Sequence, residues 1–253
     1  DYDRDGHLDL YLVNDGPNRL YNNNGDGTFA EIAGSAGVND NQAGQGAAWG
    51  DYNGDGFLDL YLSNGRSGFG FSEAPNRLYR NNQDGTFAEV GGFARVNDNG
   101  NGRGVSWGDY DSDGDLDLFL ANSDETLAIG EAPNRLYRND GDGKFSEIAT
   151  VSNVNDTGDG QGVAWVDYDN VGHLDPSVIN DGANQLYRND GAGGFIRSAV
   201  NAGVDDGGNG TGGTWGDMDK DGWLDLYVVN DNEPNRLYRN EGNGNRWLSA
   251  TLE

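Results

Sequence analysis

Ten-residue stretches dense in carboxylates recur five times: DYDRDGHLDL from Asp1, DYNGDGFLDL from Asp51, DYDSDGDLDL from Asp109, DYDNVGHLDP from Asp167 and DMDKDGWLDL from Asp217. Oxygen-bearing side chains fall at loop positions 1, 3, 5 and 9, with glycine at position 6, except that Val171 stands at position 5 of the fourth loop. That alternation lets a short loop turn several oxygens toward one point, and glycine relieves the sharp turn. The chemistry is capture of a hard cation; calcium takes about 6–8 oxygen ligands in flexible geometry.

The candidate metal ligands of the first loop are Asp1, Asp3, Asp5 and Asp9, with the backbone carbonyl of His7. Those of the second are Asp51, Asn53, Asp55 and Asp59 with the carbonyl of Phe57, and those of the third are Asp109, Asp111, Asp113 and Asp117 with the carbonyl of Asp115. The fifth loop offers Asp217, Asp219, Asp221 and Asp225 with the carbonyl of Trp223. Position 7 reads His, Phe, Asp, His and Trp, which share no side-chain chemistry, as a backbone ligand predicts. Both histidines of the chain, His7 and His173, sit there, so neither is expected to act through its ring. In the fourth loop Asp167, Asp169 and Asp175 remain, Pro176 follows, and a weak or empty site is expected.

Plain Asp–Gly turns account poorly for so many carboxylates in one tight loop, where repulsion would cost stability. Donors that are all oxygen argue against zinc or copper, and the high ligand number favours calcium over magnesium. A helix-flanked calcium hand needs Glu at position 12; here that place holds Leu12, Leu62, Leu120, Val178 and Val228. The expectation is four calcium sites and a doubtful fifth, structural first.

The loops begin at 1, 51, 109, 167 and 217, so their spacings are 50, 58, 58 and 50. Periods of this length suit four-stranded propeller blades. Before four of the loops lies a strand of small residues ending in Trp: GQGAAWG, GRGVSWG, GQGVAWV and GTGGTWG. Small residues suit a crowded innermost strand, and the Trp can fill the space between blades. After each loop comes an apolar strand such as LDLYLVN, then NRLYRN or a variant, then a turn rich in Asn, Asp and Gly leading to TFAEI, TFAEV, KFSEI or GFIRS. The expected fold is all-β, a β-propeller of four-stranded antiparallel blades. The repeats span 1–244 in units starting near 1, 44, 102, 160 and 210. Residues 245–253 are expected either as the last strand or as the opening of a further segment. The first unit lacks its innermost strand, giving 19 strands.

The formal net charge of −27, from 43 acidic and 16 basic side chains, repels nucleic acid and anionic membrane surfaces. No apolar run approaches the ~20 residues of a membrane span, so neither nucleic acid nor membrane insertion is expected. Cysteine is absent, which removes disulfides and thiol catalysis. Hydrophobic residues make up only 34%, but aromatics at 11% indicate a folded chain with a lean core.

Units two and three carry insertions between their second and third strands: RSGFGFSE at 66–73, and a stretch through Asp124, Glu125, Leu127 and Ile129. Such loops emerge opposite the acidic loops, and Phe69 and Phe71 are the candidate ligand-binding residues there. The off-pattern carboxylates Glu73, Asp124, Glu125 and Glu131 read as solvated loop charges, so catalysis is not expected.

The run DxDxDGxxDL followed by NRLYRNxGDGTF, at this spacing, resembles the FG-GAP/VCBS repeats of integrin-α-like β-propellers, with the ASPIC/UnbV-containing cartilage-acidic-protein group nearest. NRWLSATL from Asn245 looks like the opening of an ASPIC/UnbV domain. The resemblance implies calcium in the loops between first and second strands, an extracellular setting, a role in adhesion or recognition, and commonly seven blades, so that five units fit part of a seven-bladed ring or a smaller one. Three readings follow: a module binding protein or glycan, a structural subunit self-assembling through the open blade edge, and a carbohydrate-active enzyme, in that order.

Overall fold

The computed structural model describes residues 1–65, 74–123 and 133–242, together with the backbone of a strand over 247–252. Blade one holds β1 (Leu10–Leu12), β2 (Arg19–Asn23) and β3 (Phe29–Glu31); blade two holds β4 (Gly44–Gly50), β5 (Asp59–Asn64), β6 (Arg77–Asn81) and β7 (Phe87–Glu89). Blade three comprises β8 (Gly102–Gly108), β9 (Asp117–Asn122), β10 (Arg135–Asn139) and β11 (Phe145–Glu147). Blade four comprises β12 (Asp159–Val166), β13 (Asp175–Asp181), β14 (Gln185–Asn189) and β15 (Phe195–Arg197), and blade five β16 (Gly210–Gly216), β17 (Asp225–Asn230), β18 (Asn235–Asn240) and β19 (Trp247–Leu252). Each blade is an antiparallel meander in chain order, and the first has three strands where the others have four.

Small residues are required on the innermost strands because these strands approach one another closely: β4 contacts β8, β8 contacts β12 and β12 contacts β16. A Cβ added at Gly46 would come within 2.4 Å of the Arg103 carbonyl oxygen, and one at Gly104 within 2.7 Å of Gly162 Cα. Any larger residue would push two blades apart.

The core lies between blades. The Trp that ends each innermost strand stacks on the position-2 Tyr of the preceding blade: Trp49 on Tyr2 at 6.3 Å, Trp107 on Tyr52 at 6.2 Å and Trp165 on Tyr110 at 6.0 Å between centroids. Trp49, Trp107 and Trp165 also meet the fourth-strand Phe of their own blade and, edge-on, a second-strand aromatic of the preceding one, as in Phe87 and Tyr11 around Trp49. Three rings around each indole, with the leucines of the second strands, give a lean composition enough apolar area to bury. Leu60, Leu62, Leu118 and Leu120 are fully buried in these seams.

Short helices α1 (Ala33–Ala36), α2 (Gly91–Ala94) and α3 (Ala199–Ala202) follow the fourth strands of blades one, two and four. Blade three has a turn at the corresponding place, 149–153. Four-residue helices carry no period that a sequence reading could detect.

Candidate metal centres

Each acidic loop connects a blade's first and second strands where both are present, and its backbone is folded by its own carboxylates. The position-1 Asp accepts the N–H of the position-6 Gly in all five loops: Gly6 to Asp1 at 3.1 Å, Gly56 to Asp51 at 2.8 Å, Gly114 to Asp109 at 3.1 Å, Gly172 to Asp167 at 2.9 Å and Gly222 to Asp217 at 3.0 Å. The position-5 Asp accepts the position-7 N–H in four of them, at 2.8 to 2.9 Å. Val171 cannot make that bond. Position 4 is left-handed in every loop, with φ of 63° at Arg4, 68° at Gly54, 61° at Ser112, 54° at Asn170 and 64° at Lys220. Four of those five residues carry a Cβ, so the loop imposes a conformation that costs each of them stability.

These constraints converge the carboxylates. Oxygens of Asp1, Asp3 and Asp5 lie within 4.8 Å of one another, as do those of Asp109, Asp111 and Asp117, of Asp167, Asp169 and Asp175, and of Asp217, Asp219 and Asp225. The fourth loop therefore keeps a three-carboxylate cluster despite Val171. Loop two has an amide, Asn53, at position 3; its Oδ1 accepts the Asp55 N–H at 2.9 Å.

The donor set fits a hard cation on an observation beyond proximity. Asp1 Oδ1, Asp59 Oδ2 and Asp169 Oδ1 are buried oxygens with no hydrogen-bond partner. A buried carboxylate oxygen left unpaired costs substantial free energy, and a cation is the partner that satisfies several at once. In loop five a guanidinium takes part of that role: Arg239 donates through Nε to Asp219 and lies 3.5 Å from Asp221. In loop one Asn22 Nδ2 donates to Asp3 at 2.9 Å.

Position 9 has a second task that the ligand pattern did not suggest. Asp117 is fully buried, and its two oxygens accept the N–H groups of Asn139 at 2.8 Å and Tyr110 at 3.2 Å. Asp9, Asp175 and Asp225 repeat the arrangement with Asn23, Asn189 and Asn240. Burial pushes the carboxyls of Asp59, Asp117 and Asp175 up to about 7, against the backbone donors that favour ionisation. The same Asn side chains then cross to the preceding blade: Asn81 Nδ2 donates to Tyr2 O at 2.9 Å, Asn139 to Tyr52 O at 2.8 Å, Asn189 to Tyr110 O at 2.9 Å and Asn240 to Tyr168 O at 2.9 Å. Each loop is thereby tied to its neighbour's. The final Asn of every NRLYRN-like strand was the signal for this.

Position 7 also has a side-chain role. His7 lies over Gly25, His173 over Gly191 and Trp223 over Gly242, so close that a Cβ on the glycine would fall within 2.8 Å of the ring. These glycines belong to the turn between third and fourth strands, at φ of 73°, 71° and 64°. In blade two, where the turn has Gln83, Phe57 instead lies under the Arg4 guanidinium at 5.1 Å. The candidate ligand residues Phe69 and Phe71, and the carboxylates Glu73, Asp124, Glu125 and Glu131, lie outside the described residues.

Comparison with known proteins follows this geometry. A family model described as FG-GAP-like repeat matches residues 1–62, 67–120, 122–176 and 170–228. Cartilage acidic protein 1 of Homo sapiens is 33% identical over 181 residues, covering 66% of this chain and 25% of that protein. The protein of the same name from Mus musculus is 32% identical over 181 residues, covering 26% of its length. The chain thus spans about a quarter of these curated relatives. Among solved structures, an Agrocybe aegerita lectin studied for recognition of non-reducing terminal N-acetylglucosamine superposes with a TM-score of 0.59 over 99% of this chain and 64% of that one. Its sequence is 18% identical, a likeness of fold alone: the β-propeller.

Proposed function

From the premise that the chain belongs to the FG-GAP-like repeat family, we propose that it is a calcium-stabilised, extracellular β-propeller acting as a recognition or adhesion module for protein or glycan. The observation that carries the metal is the set of convergent carboxylates in loops one, three, four and five, with buried, unpartnered oxygens in Asp1 and Asp169. Positions 1, 3, 5 and 9 and the position-7 carbonyl would hold the ion in loops one, two, three and five, with Asp167, Asp169 and Asp175 in the fourth. The ion supplies positive charge that closes each loop. Weak sites of this kind fill at the calcium concentrations found outside cells, which supports the extracellular setting. Among the described residues no helix is long and apolar enough to cross a membrane.

The blades supply rigidity, and recognition then falls to what varies between them. The carboxylates in the described loops are committed to folding them, so the reading is of binding and not of catalysis. Thermal melting with calcium and with chelator tests the metal; equal melting points would sink it. Binding to glycan and extracellular-protein arrays, with Phe69→Ala and Phe71→Ala as variants, tests recognition through the insertion.

A second reading has its own observation. In blade one Leu10 (52%) and Leu12 (43%) of β1 and Phe29 (51%) of β3 are exposed, whereas their counterparts Leu60, Leu62 and Phe87 are buried in blade two. With β1 standing at the edge of its three-stranded sheet, this side of the blade offers both an edge and an apolar face for another chain to cover, as a self-assembling subunit would require. A monomeric mass in solution at all concentrations would remove that reading.

A further inference from the structure

Departures from the repeat converge on one groove. Between blades three and four, on the side of the acidic loops, lies a cleft of about 460 Å³. Its walls include Asp111 and Ser112 of the third loop, Arg138 of β10, Val151, His173 of the fourth loop, and the blade-four turn at Ala192. The corresponding groove between blades two and three is filled: Phe93 lies under Lys144 Nζ at 5.4 Å, and Lys144 pairs with Asp142 at 3.0 Å. At the equivalent places around the cleft stand Val151 for Phe93, Ala192 for Asp142 and Gly194 for Lys144. In blades one and two a Thr–Asp pair, Thr28 with Asp26 and Thr86 with Asp84, occupies the same turn. Ala192 and Gly194, two residues apart in one turn, lack the bulk that blades one, two and three carry there, while the place of Val151 varies, with Ser35, Phe93 and Asn201 in the other blades.

The turn that replaces a short helix in blade three holds the cleft open. Ser152 Oγ donates to Gly193 O at 3.1 Å and Asn153 Nδ2 to Phe195 O at 3.3 Å, bracing blade three against blade four below the opening. Val151 is left 84% exposed at its rim.

We propose that this cleft is a binding site for a neutral saccharide of one or two rings, resting on the recognition reading above. The volume lies in the range of about 300–1,000 Å³ typical of small-molecule sites, but beside Tyr110, Ile148 and Val151 the walls are largely polar, unlike the mostly hydrophobic lining an apolar ligand needs. Donors and acceptors instead alternate around it: the Arg138 guanidinium, the Ser112 hydroxyl, the Asp111 carboxylate and the His173 ring. Hydroxyl groups, each both donor and acceptor, match such a wall. Ile148 and Val151 offer a small apolar strip for the C–H face of a ring. An ionised ligand is disfavoured, because Arg138 already pairs with Asp140 at 3.2 Å and Asp111 stands in the same wall.

The test is titration of the calcium-loaded chain with glucose, galactose, mannose, N-acetylglucosamine, lactose and cellobiose, with glucuronate as the charged control, followed by NMR or calorimetry. The variant Val151→Phe/Ala192→Asp copies Phe93 and Asp142, the residues that flank the neighbouring groove, and should fold unchanged. Saturable binding of at least one neutral sugar, weakened about tenfold or more in the variant, is the expected result. Equal binding by the variant overturns the cleft while leaving recognition elsewhere intact. No binding by the neutral sugars, or binding of glucuronate alone, also overturns it. The calcium shift in melting, measured on the same samples, reads the metal independently.

Discussion

At one end of each four-stranded blade Asp59, Asp117, Asp175 and Asp225 lie buried among further carboxylates, and at the other end stand Asp40, Asp98, Asp156 and Asp206. The second group is neutralised from within. Asn64, Asn122, Asn180 and Asn230 donate their amides to these carboxylates at 2.9, 3.3, 3.3 and 3.1 Å. Arg77, Arg135, Arg197 and Arg236 lie 3.7, 3.4, 3.6 and 3.5 Å from them. The acidic-loop end gathers three carboxylates per cluster and leaves charged oxygens of Asp1, Asp59 and Asp169 buried and unpaired, whereas at the other end the unpaired buried oxygens include those of neutral amides, Asn64, Asn122, Asn180 and Asn230. Similar residues thus staple both ends of a blade, but the acidic-loop end is the one that crowds carboxylates together. On the calcium reading proposed above, the difference accounts for the folding of a chain with net charge −27: its own side chains neutralise one end, and the ion would neutralise the other.

The comparison predicts its largest effect on calcium removal. A site with a dissociation constant of ~0.1 mM at ~2 mM calcium contributes roughly 1.8 kcal/mol. Four such sites approach ~7 kcal/mol, which for a chain of this size lowers the melting temperature on the order of 20 °C in chelator. Magnesium at equal concentration should restore only a small part, because it dehydrates reluctantly and demands stricter geometry.

One substitution at each end sharpens the contrast. Asp117→Ala leaves the buried N–H groups of Asn139 and Tyr110 without an acceptor, at a cost of ~2–5 kcal/mol in calcium, and it should also shrink the calcium shift. Asp98→Ala releases the Asn122 amide and Arg135, at ~1–2 kcal/mol, and should leave the calcium shift unchanged. Melting both variants with and without chelator decides this. If Asp98→Ala also abolishes the calcium response, the two ends are not independent.

Much of this was legible because the repeat is written in residues with narrow roles. Gly-x-Gly–small–small–Trp marks the innermost strands since only glycine fits where Gly46 and Gly104 meet the next blade. Oxygen spacing marked the loops, and the missing first strand of blade one followed from element order. What escaped was any role whose residue types differ among copies. The left-handed position 4 holds Arg, Gly, Ser, Asn and Lys, so no shared chemistry announces it. Position 7 was read as a backbone ligand alone because a ring stacked on a turn glycine leaves no common signature either. The cleft between blades three and four could be seen only once Val151, Ala192 and Gly194 were adjacent in space.

Acidity gives the next contrast. Burial raises Asp59, Asp117 and Asp175 to about 7 in the metal-free fold. A carboxyl whose folded value exceeds its unfolded one stabilises the fold when protonated. That contribution is full below about pH 4 and is lost as pH rises through 7. Asp26, Asp84, Asp142 and Asp190 are lowered by hydrogen bonds in their turns. Their stabilisation is present above about pH 4 and lost only below it, outside this window. In chelator the chain should therefore melt a few degrees higher at pH 5 than at pH 8. With calcium the order reverses, since protons compete with the ion for the same oxygens. A calcium shift that does not grow between pH 5 and pH 8 would contradict the shared use of position 9.

The smallest effect concerns the fourth loop, where the comparison is between copies. Asp167, Asp169 and Asp175 converge as closely as the carboxylates of loops three and five, but Val171 supplies neither a ligand oxygen nor an acceptor for the His173 N–H. Val171 is 58% exposed, so replacing it removes no core. Val171→Asp should restore both functions and strengthen the site, enlarging the calcium shift by a few degrees. In chelator the added charge faces Asp167 and Asp169 and should lower the melting point slightly. This opposite sign in the two conditions separates a repaired metal site from a generally better turn, which would raise the melting point in both. A rise in chelator would mean that loop four is held by its hydrogen bonds alone.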